Sequence, residues 1–308
     1  MRLVIFYSLL IVGAVYQLSA QQTDKILESG LKDIVSDFKG DVGVYVYNLK
    51  TNSEAAINAD TIFPTASIVK VPILTGVFDK INKGELSLND TLIYDTKRAY
   101  GGAGLMQFYK DSTVTDLRTL ISLMITMSDN TTSLWCQELA GGGETINALM
   151  ANLGLKHTRV NSRTEGRTKD WEKYGWGQTT PREMASLLTK IRNRQLVNAA
   201  SSDEMYRVMS NSFYTDYSLS QIPPYIQTAA KQGMVNQSRS ELVLVNAPTG
   251  DYVFYIGTKN NEDVSWGFDN EAWQLQRKIS SYLWNYFNPT SDWEPASEFR
   301  ELVNDLRY

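Results

Sequence analysis

The chain has 308 residues, 43% of them hydrophobic, and its 30 Lys plus Arg and 34 Asp plus Glu are interspersed to a net charge of −4. That length and apolar content suit one large globular unit or two lobes sharing a cleft, and the mild acidity gives no reason to expect nucleic acid or an anionic membrane surface as partner. A single cysteine, Cys136, cannot close an internal disulfide, and a single histidine, His157, cannot build a histidine-based triad or a zinc centre without companions.

From the N-terminus, Met1-Arg2, the apolar stretch from Leu3 to Val15 and the small-residue site Leu18-Ser19-Ala20 read as a secretory signal over 1–20, cleaved before Gln21. The apolar core is short for a membrane span, no cysteine follows the site, and the mature chain is expected to be periplasmic or secreted without stable membrane insertion. Ile26, Leu27, Leu31, Ile34, Val35 and Phe38 recur at helical spacing between Asp24 and Phe38. Val42 to Asn48 alternates as a strand, and Thr51-Asn52-Ser53 turns it into a second strand over Ala55 to Asn58. From Ser67 to about Arg194 the pattern is helical, broken at glycine clusters such as Gly141-Gly142-Gly143. Strands return at Glu241 to Val245 and Tyr252 to Gly257, joined by a turn at Ala247-Pro248-Thr249-Gly250-Asp251, and Trp273 to Phe287 closes with an amphipathic helix. Beyond Pro289, Phe299, Leu302, Val303 and Leu306 suggest a further helix packing on the body.

Strands at both ends of the chain with helices between predict an α+β fold: a five-stranded antiparallel sheet flanked by N- and C-terminal helices, with an inserted all-helical lobe. The α/β lobe is then discontinuous, 21–62 and 205–288, the helical lobe spans 63–204, and 289–308 is a tail. A pocket is expected at the junction of the lobes.

Three short strings carry the chemistry. In Ser67-Ile68-Val69-Lys70, the extended Phe63-Pro64-Thr65-Ala66 leads into an apolar helix, so Ser67 is expected in the first turn, where free N–H groups and the helix dipole favour an oxyanion. Lys70 lies on the same face one turn on, and desolvation or a neighbouring cation would lower its pKa enough to accept the serine proton. Ser128-Asp129-Asn130 interrupts two apolar helical stretches, a break that either caps a helix or presents side chains to a cleft. Lys231-Gln232-Gly233 opens the final run of strands.

With these strings in this order, the chain resembles the class A β-lactamases and the wider penicillin-recognising serine hydrolases, marked by S-x-x-K, S-D-N and K-T-G. Thr126-Met127-Ser128-Asp129-Asn130-Thr131 and Thr179-Thr180-Pro181-Arg182-Glu183-Met184-Ala185 also look like family segments, and about Asp41 to Phe287 can be placed on the family. The resemblance implies Ser67 as acylated nucleophile, Lys70 as proton acceptor and Ser128 as relay to the leaving nitrogen. It also implies that Asn130 holds the substrate amide, that Lys231 attracts the substrate carboxylate, and that the Ser67 and Met234 N–H groups form the oxyanion hole. Arg163-Thr164-Glu165 matches an R-x-E element, making Glu165 the implied base for deacylation. No metal or organic cofactor is implied; the partner is a small β-lactam or related acyl-peptide, and the chain is read as a monomer.

Several positions depart from the family pattern. Gln232 stands where a hydroxyl residue is usual, Lys169 replaces the asparagine that helps hold the hydrolytic water, and Gly177 stands where an acidic residue would pin the loop. Acylation is therefore expected to be intact, with hydrolysis of the acyl-enzyme open. Glu165, among Arg163, Arg167 and Lys169, reads either as that base or as one half of a solvated ion pair. Arg239 reads either as a second cation for a substrate carboxylate or as a strand-end charge, and Gly101-Gly102-Ala103-Gly104 either as a cleft wall or as a turn. The resemblance is read as an exported active-site serine hydrolase of the class A β-lactamase type, opening β-lactam rings through a Ser67 acyl-enzyme; the alternatives are a D-alanyl-D-alanine peptidase or esterase of the same superfamily and a slowly deacylating β-lactam binder.

Overall fold

The computed structural model describes residues 21–301; the leader read at 1–20 and the tail positions Leu302, Val303 and Leu306 lie outside the described residues. The N-terminal part contains β1 (Gln22–Thr23), α1 (Lys25–Val35), β2 (Asp41–Asn48), β3 (Ser53–Ile57) and β4 (Phe63–Pro64). The middle contains α2 (Lys70–Asn82), β5 (Thr91–Ile93), β6 (Val114–Asp116), α3 (Leu117–Thr126), α4 (Asn130–Leu139), α5 (Gly142–Asn152), β7 (Arg159–Val160), α6 (Thr168–Tyr174), β8 (Gly177–Thr179), α7 (Pro181–Arg192) and α8 (Ala199–Met209). The C-terminal part contains β9 (Thr228–Val235), β10 (Ser238–Val245), β11 (Tyr252–Lys259), α9 (Glu271–Phe287) and α10 (Ser297–Glu301).

The two chain ends meet in one sheet of order β1-β3-β2-β11-β10-β9. Its antiparallel body is the five strands expected, extended by the two-residue β1 lying parallel to β3, with Gln22 opposite Ser53. Period-2 alternation sorts its side chains into two cores. Tyr45, Leu242, Leu244, Val253 and Tyr255 face the helical lobe, while Val44, Val46, Val243, Phe254 and Ile256 face Leu27 and Leu31 of α1 and Ile279 and Leu283 of α9. α1 begins where the Asp24 carboxylate accepts the Leu27 N–H at 3.0 Å, and the apolar spacing read from the sequence is the stripe it buries.

The inserted lobe is not wholly helical. It carries a three-stranded sheet, β4-β8-β7, and a two-stranded one, β5-β6. Strands of two or three residues have no readable alternation, yet the first of these sheets seats the serine turn: Thr65 N–H donates to Gly177 O at 3.0 Å. Among the described residues no helix is long and apolar enough to cross a membrane. In the tail, Phe299 packs at 5.4 Å ring to ring on Phe268, against the body as expected.

Candidate active site

Ser67 lies in a 3-10 turn, Ala66–Val69, that runs into α2 rather than in the α-helix itself. Ala66 enters the turn at φ 42°, a left-handed conformation costly for a residue with a Cβ, so the surrounding β4-β8 pairing has to hold it. The turn delivers the half-buried Ser67 Oγ to 2.8 Å from Lys70 Nζ.

Lys70 is fully buried and its ammonium contacts only oxygens: Ser67 Oγ, Ser128 O at 2.6 Å, Ser128 Oγ at 3.1 Å and Asn130 Oδ1 at 3.0 Å. Burial lowers its pKa to about 7, with the Asp129 carboxylate pulling the other way. Near neutrality a large fraction of this amine is unprotonated and able to take the serine proton.

The Ser128-Asp129-Asn130 break does both things its sequence allowed. Asp129 caps α4 by accepting the Thr132 N–H at 2.9 Å, and its second oxygen accepts the Leu105 and Met106 N–H groups at 2.6 and 2.7 Å. Ser128, at φ 56°, is thereby turned toward the lysines. The glycine loop at 101–104 packs on this segment. Asn130 Nδ2 donates to Gly101 O at 3.1 Å, and a Cβ on Gly104 would lie 2.3 Å from the Asp129 side chain.

Lys231 reaches the same hydroxyl from the sheet side, its Nζ 3.0 Å from Ser128 Oγ. Burial chiefly, then Lys70, hold its ammonium well below the usual lysine range, Glu241 opposing. Gln232 Oε1 lies 3.3 Å from Lys231 Nζ, while the buried Gln232 Nε2 has no protein partner. β9 is the sheet's edge strand, so alternate N–H groups lie outside the ladder, and it presses on the serine turn. A Cβ on Gly233 would lie 2.3 Å from Thr65 O and 3.0 Å from Ser67 N, an approach only glycine permits. Met234, the next residue on β9, lines the same cleft as Ser67.

A cleft of about 770 Å³ opens over Ser67 and Asn130, lined by Tyr100, Trp176, Met234 and Trp266 among others. Trp176 covers the buried base, its ring centroid 5.9 Å from Lys70 Nζ, and Tyr100 meets it edge-on at 5.2 Å. These aromatic walls escaped the sequence reading. The signal available was the density of rings between Trp171 and Trp176, unusual in a charged loop.

Two expected residues are not brought to this cluster. Arg239 is fully buried on the far side of the hairpin, its guanidinium 4.5 Å from the Trp266 ring centroid and 5.0 Å from that of Trp273. Its two terminal amino groups donate to the carbonyls of Val235, Asn236, Ser238 and Ser265, and its buried Nε has no protein partner. Glu165 is exposed and makes no hydrogen bond or ion pair among the described residues. The loop is anchored by Arg167 instead of Arg163: Arg167 donates to Asn161 Oδ1 at 3.0 Å and Gln178 Oε1 at 2.9 Å and pairs with Asp170 at 3.2 Å. Lys169 is exposed, and Gly177 sits where a Cβ would lie 2.7 Å from Thr65 Oγ1, so an acidic side chain has no room there.

His157 is exposed and bonds through its backbone N–H to Glu183 at 3.0 Å. Cys136 is buried in α4, where burial pushes its thiol pKa up.

The model of the beta-lactamase enzyme family matches residues 25–287. Beta-lactamase VEB-1 of Pseudomonas aeruginosa is 22% identical over 87% of this chain and 92% of its own length. Among solved structures, PBP-A superposes with a TM-score of 0.78 at 24% identity, covering 87% of this chain and 98% of that one. A beta-lactamase from Chitinophaga pinensis superposes with a TM-score of 0.77 at 20% identity, covering 85% and 99%.

Proposed function

Because this chain belongs to the beta-lactamase enzyme family, we propose that it is a serine hydrolase acylated at Ser67 by β-lactams and related acyl-peptides, whose lactam-derived acyl-enzyme is long-lived. The observation that carries this reading is the bridge of Ser67 Oγ, Lys70 Nζ, Ser128 Oγ and Lys231 Nζ, linked at 2.8, 3.1 and 3.0 Å.

The neutral Lys70 amine takes the Ser67 proton as Oγ attacks the acyl carbonyl, and the Ser67 and Met234 N–H groups receive the developing oxyanion. Losing one such donor typically costs about two to three orders of magnitude in rate. As the carbonyl–nitrogen bond breaks, Lys70 returns a proton to Ser128 Oγ, which passes its own to the leaving nitrogen. Lys231 steadies Ser128 and draws the substrate carboxylate, Asn130 holds the acyl amide, and the free Gln232 Nε2 supplies the donor that a hydroxyl gives elsewhere in the family. Exposure of Glu165, with no aspartate or glutamate in the cleft lining among the described residues, supports slow deacylation. We propose in addition that the chain is exported, on the strength of the leader read at 1–20.

A second reading, a β-lactamase with efficient turnover, is favoured by the names of the curated relatives. Burst and steady-state kinetics with a chromogenic cephalosporin, followed by intact mass, separate the two. A stoichiometric burst with a persistent adduct, lost in Ser67→Ala and unchanged within about twofold in Glu165→Gln, supports the slow acyl-enzyme. Rapid turnover whose second phase collapses in Glu165→Gln supports the lactamase, and no adduct at all sinks both.

A further inference from the structure

The protein is net negative, yet among the described residues the cleft lining contains no aspartate or glutamate. Its charged side chains are Lys173 and Lys259, and Lys70 and Lys231 stand behind the serine. A cleft lined by one sign of charge focuses its field on the opposite sign. The four lysines are not equivalent. Lys70 and Lys231 are buried and share Ser128 Oγ, and Lys259 donates to Ile62 O at 2.9 Å over the Phe63 ring. Lys173 has no carboxylate or hydrogen-bond acceptor among the described residues; its ammonium rests 5.0 Å from the ring centroid of its neighbour Tyr174. Glu172, beside it on α6, is not part of the lining. Lys173, Tyr174 and Trp176 line the cleft together, close in sequence, and the Trp176 ring is the one that covers Lys70.

We infer that the preferred acyl donor is dianionic: one carboxylate beside the reacting carbonyl goes to Lys231, and a second, on the acyl side chain, lies along the aromatic wall and pairs with Lys173. This inference rests on the acylation reading above and adds the substrate class.

The test compares benzylpenicillin with its α-carboxy analogue, which differs by the second carboxylate. In the full-length wild type, the second-order acylation rate read by intact mass favours the dianion by about three- to tenfold at low ionic strength, and salt reduces the preference. Lys173→Gln brings the ratio of the two rates to about one, and Lys173→Glu inverts it. In a Ser67→Ala background the same ratio is read as equilibrium affinity by calorimetry, so a protein that fails to acylate still reports its charge preference. A ratio unchanged by Lys173→Gln overturns the inference, whether the two rates hold or fall together. Failure of wild type to acylate with either penicillin, with a calorimetric preference that Lys173→Gln abolishes, overturns the acylation reading alone.

Discussion

Two lysines share one serine hydroxyl, and their burial makes that arrangement chemically useful. A lysine in water is protonated at neutral pH and accepts nothing; removal of Lys70 from water brings its pKa to about 7. The protonated form cannot act as base, so the second-order acylation rate is expected to rise with pH at unit slope and level off above about 7. Asp129 is the charge that opposes this lowering. Asp129→Asn therefore moves the acid limb to lower pH, a direction read directly from a pH–rate profile and opposite to what removing a general base would do. The substitution also weakens the acceptors that hold the Leu105 and Met106 N–H groups, at a cost of about 1–3 kcal/mol in unfolding free energy.

At the scale of elements, the edge strand β9 and the serine turn form one unit, and the glycine between them is its tolerance limit. Gly233→Ala places a methyl against Thr65 O, and the strand has to retreat from Ser67. The acylation rate is expected to fall about a hundredfold while far-UV circular dichroism is retained, because the Met234 donor moves and the core does not. Wild-type acylation in Gly233→Ala refutes the role given to this contact.

The same scale shows what was legible in the sequence. Ser67, Lys70, Ser128, Asn130 and Lys231 were readable because each sits in a string whose residue types the chemistry demands, and the long strands and helices because their periodicity spans many residues. Arg239 was readable as a cation but not in direction, since strand parity and the Trp266 and Trp273 rings decide which face it takes. Glu165 sits in a string of only three residues, and its orientation is set by local backbone: Arg163 at φ 50° and Gly166 at φ 72° turn the loop so that Arg167 makes the anchoring contacts. The three-stranded sheet under the serine turn left no trace in periodicity. Its strands are two or three residues long, and the β4 strand under the serine turn pairs across more than a hundred positions, Phe63 with Thr179.

For the molecule as a whole, the junction of a shared sheet with an inserted lobe explains why residues from three distant stretches meet at one hydroxyl. α7 lies on the sheet at this junction, and Arg192 and Asp251 join lobe to sheet at 2.6 Å. Such half-exposed pairs contribute only about 0–1 kcal/mol each, so the apolar core shared by the sheet and the helical lobe holds the two in register. Export is tested at this scale. The mature chain recovered from a secreting host is expected to begin at Gln21, and recovery of an intact Met1 with the protein retained inside the cell sinks that proposal.

The solitary thiol of α4 has a practical side. Cys136 is shut away from solvent and its sulfur resists ionisation, so maleimides find no ready thiol in the folded protein. A cysteine installed at the rim of the cleft would then be the one reactive handle on the native molecule, and a fluorophore attached there would report acylation in real time without first removing the natural residue.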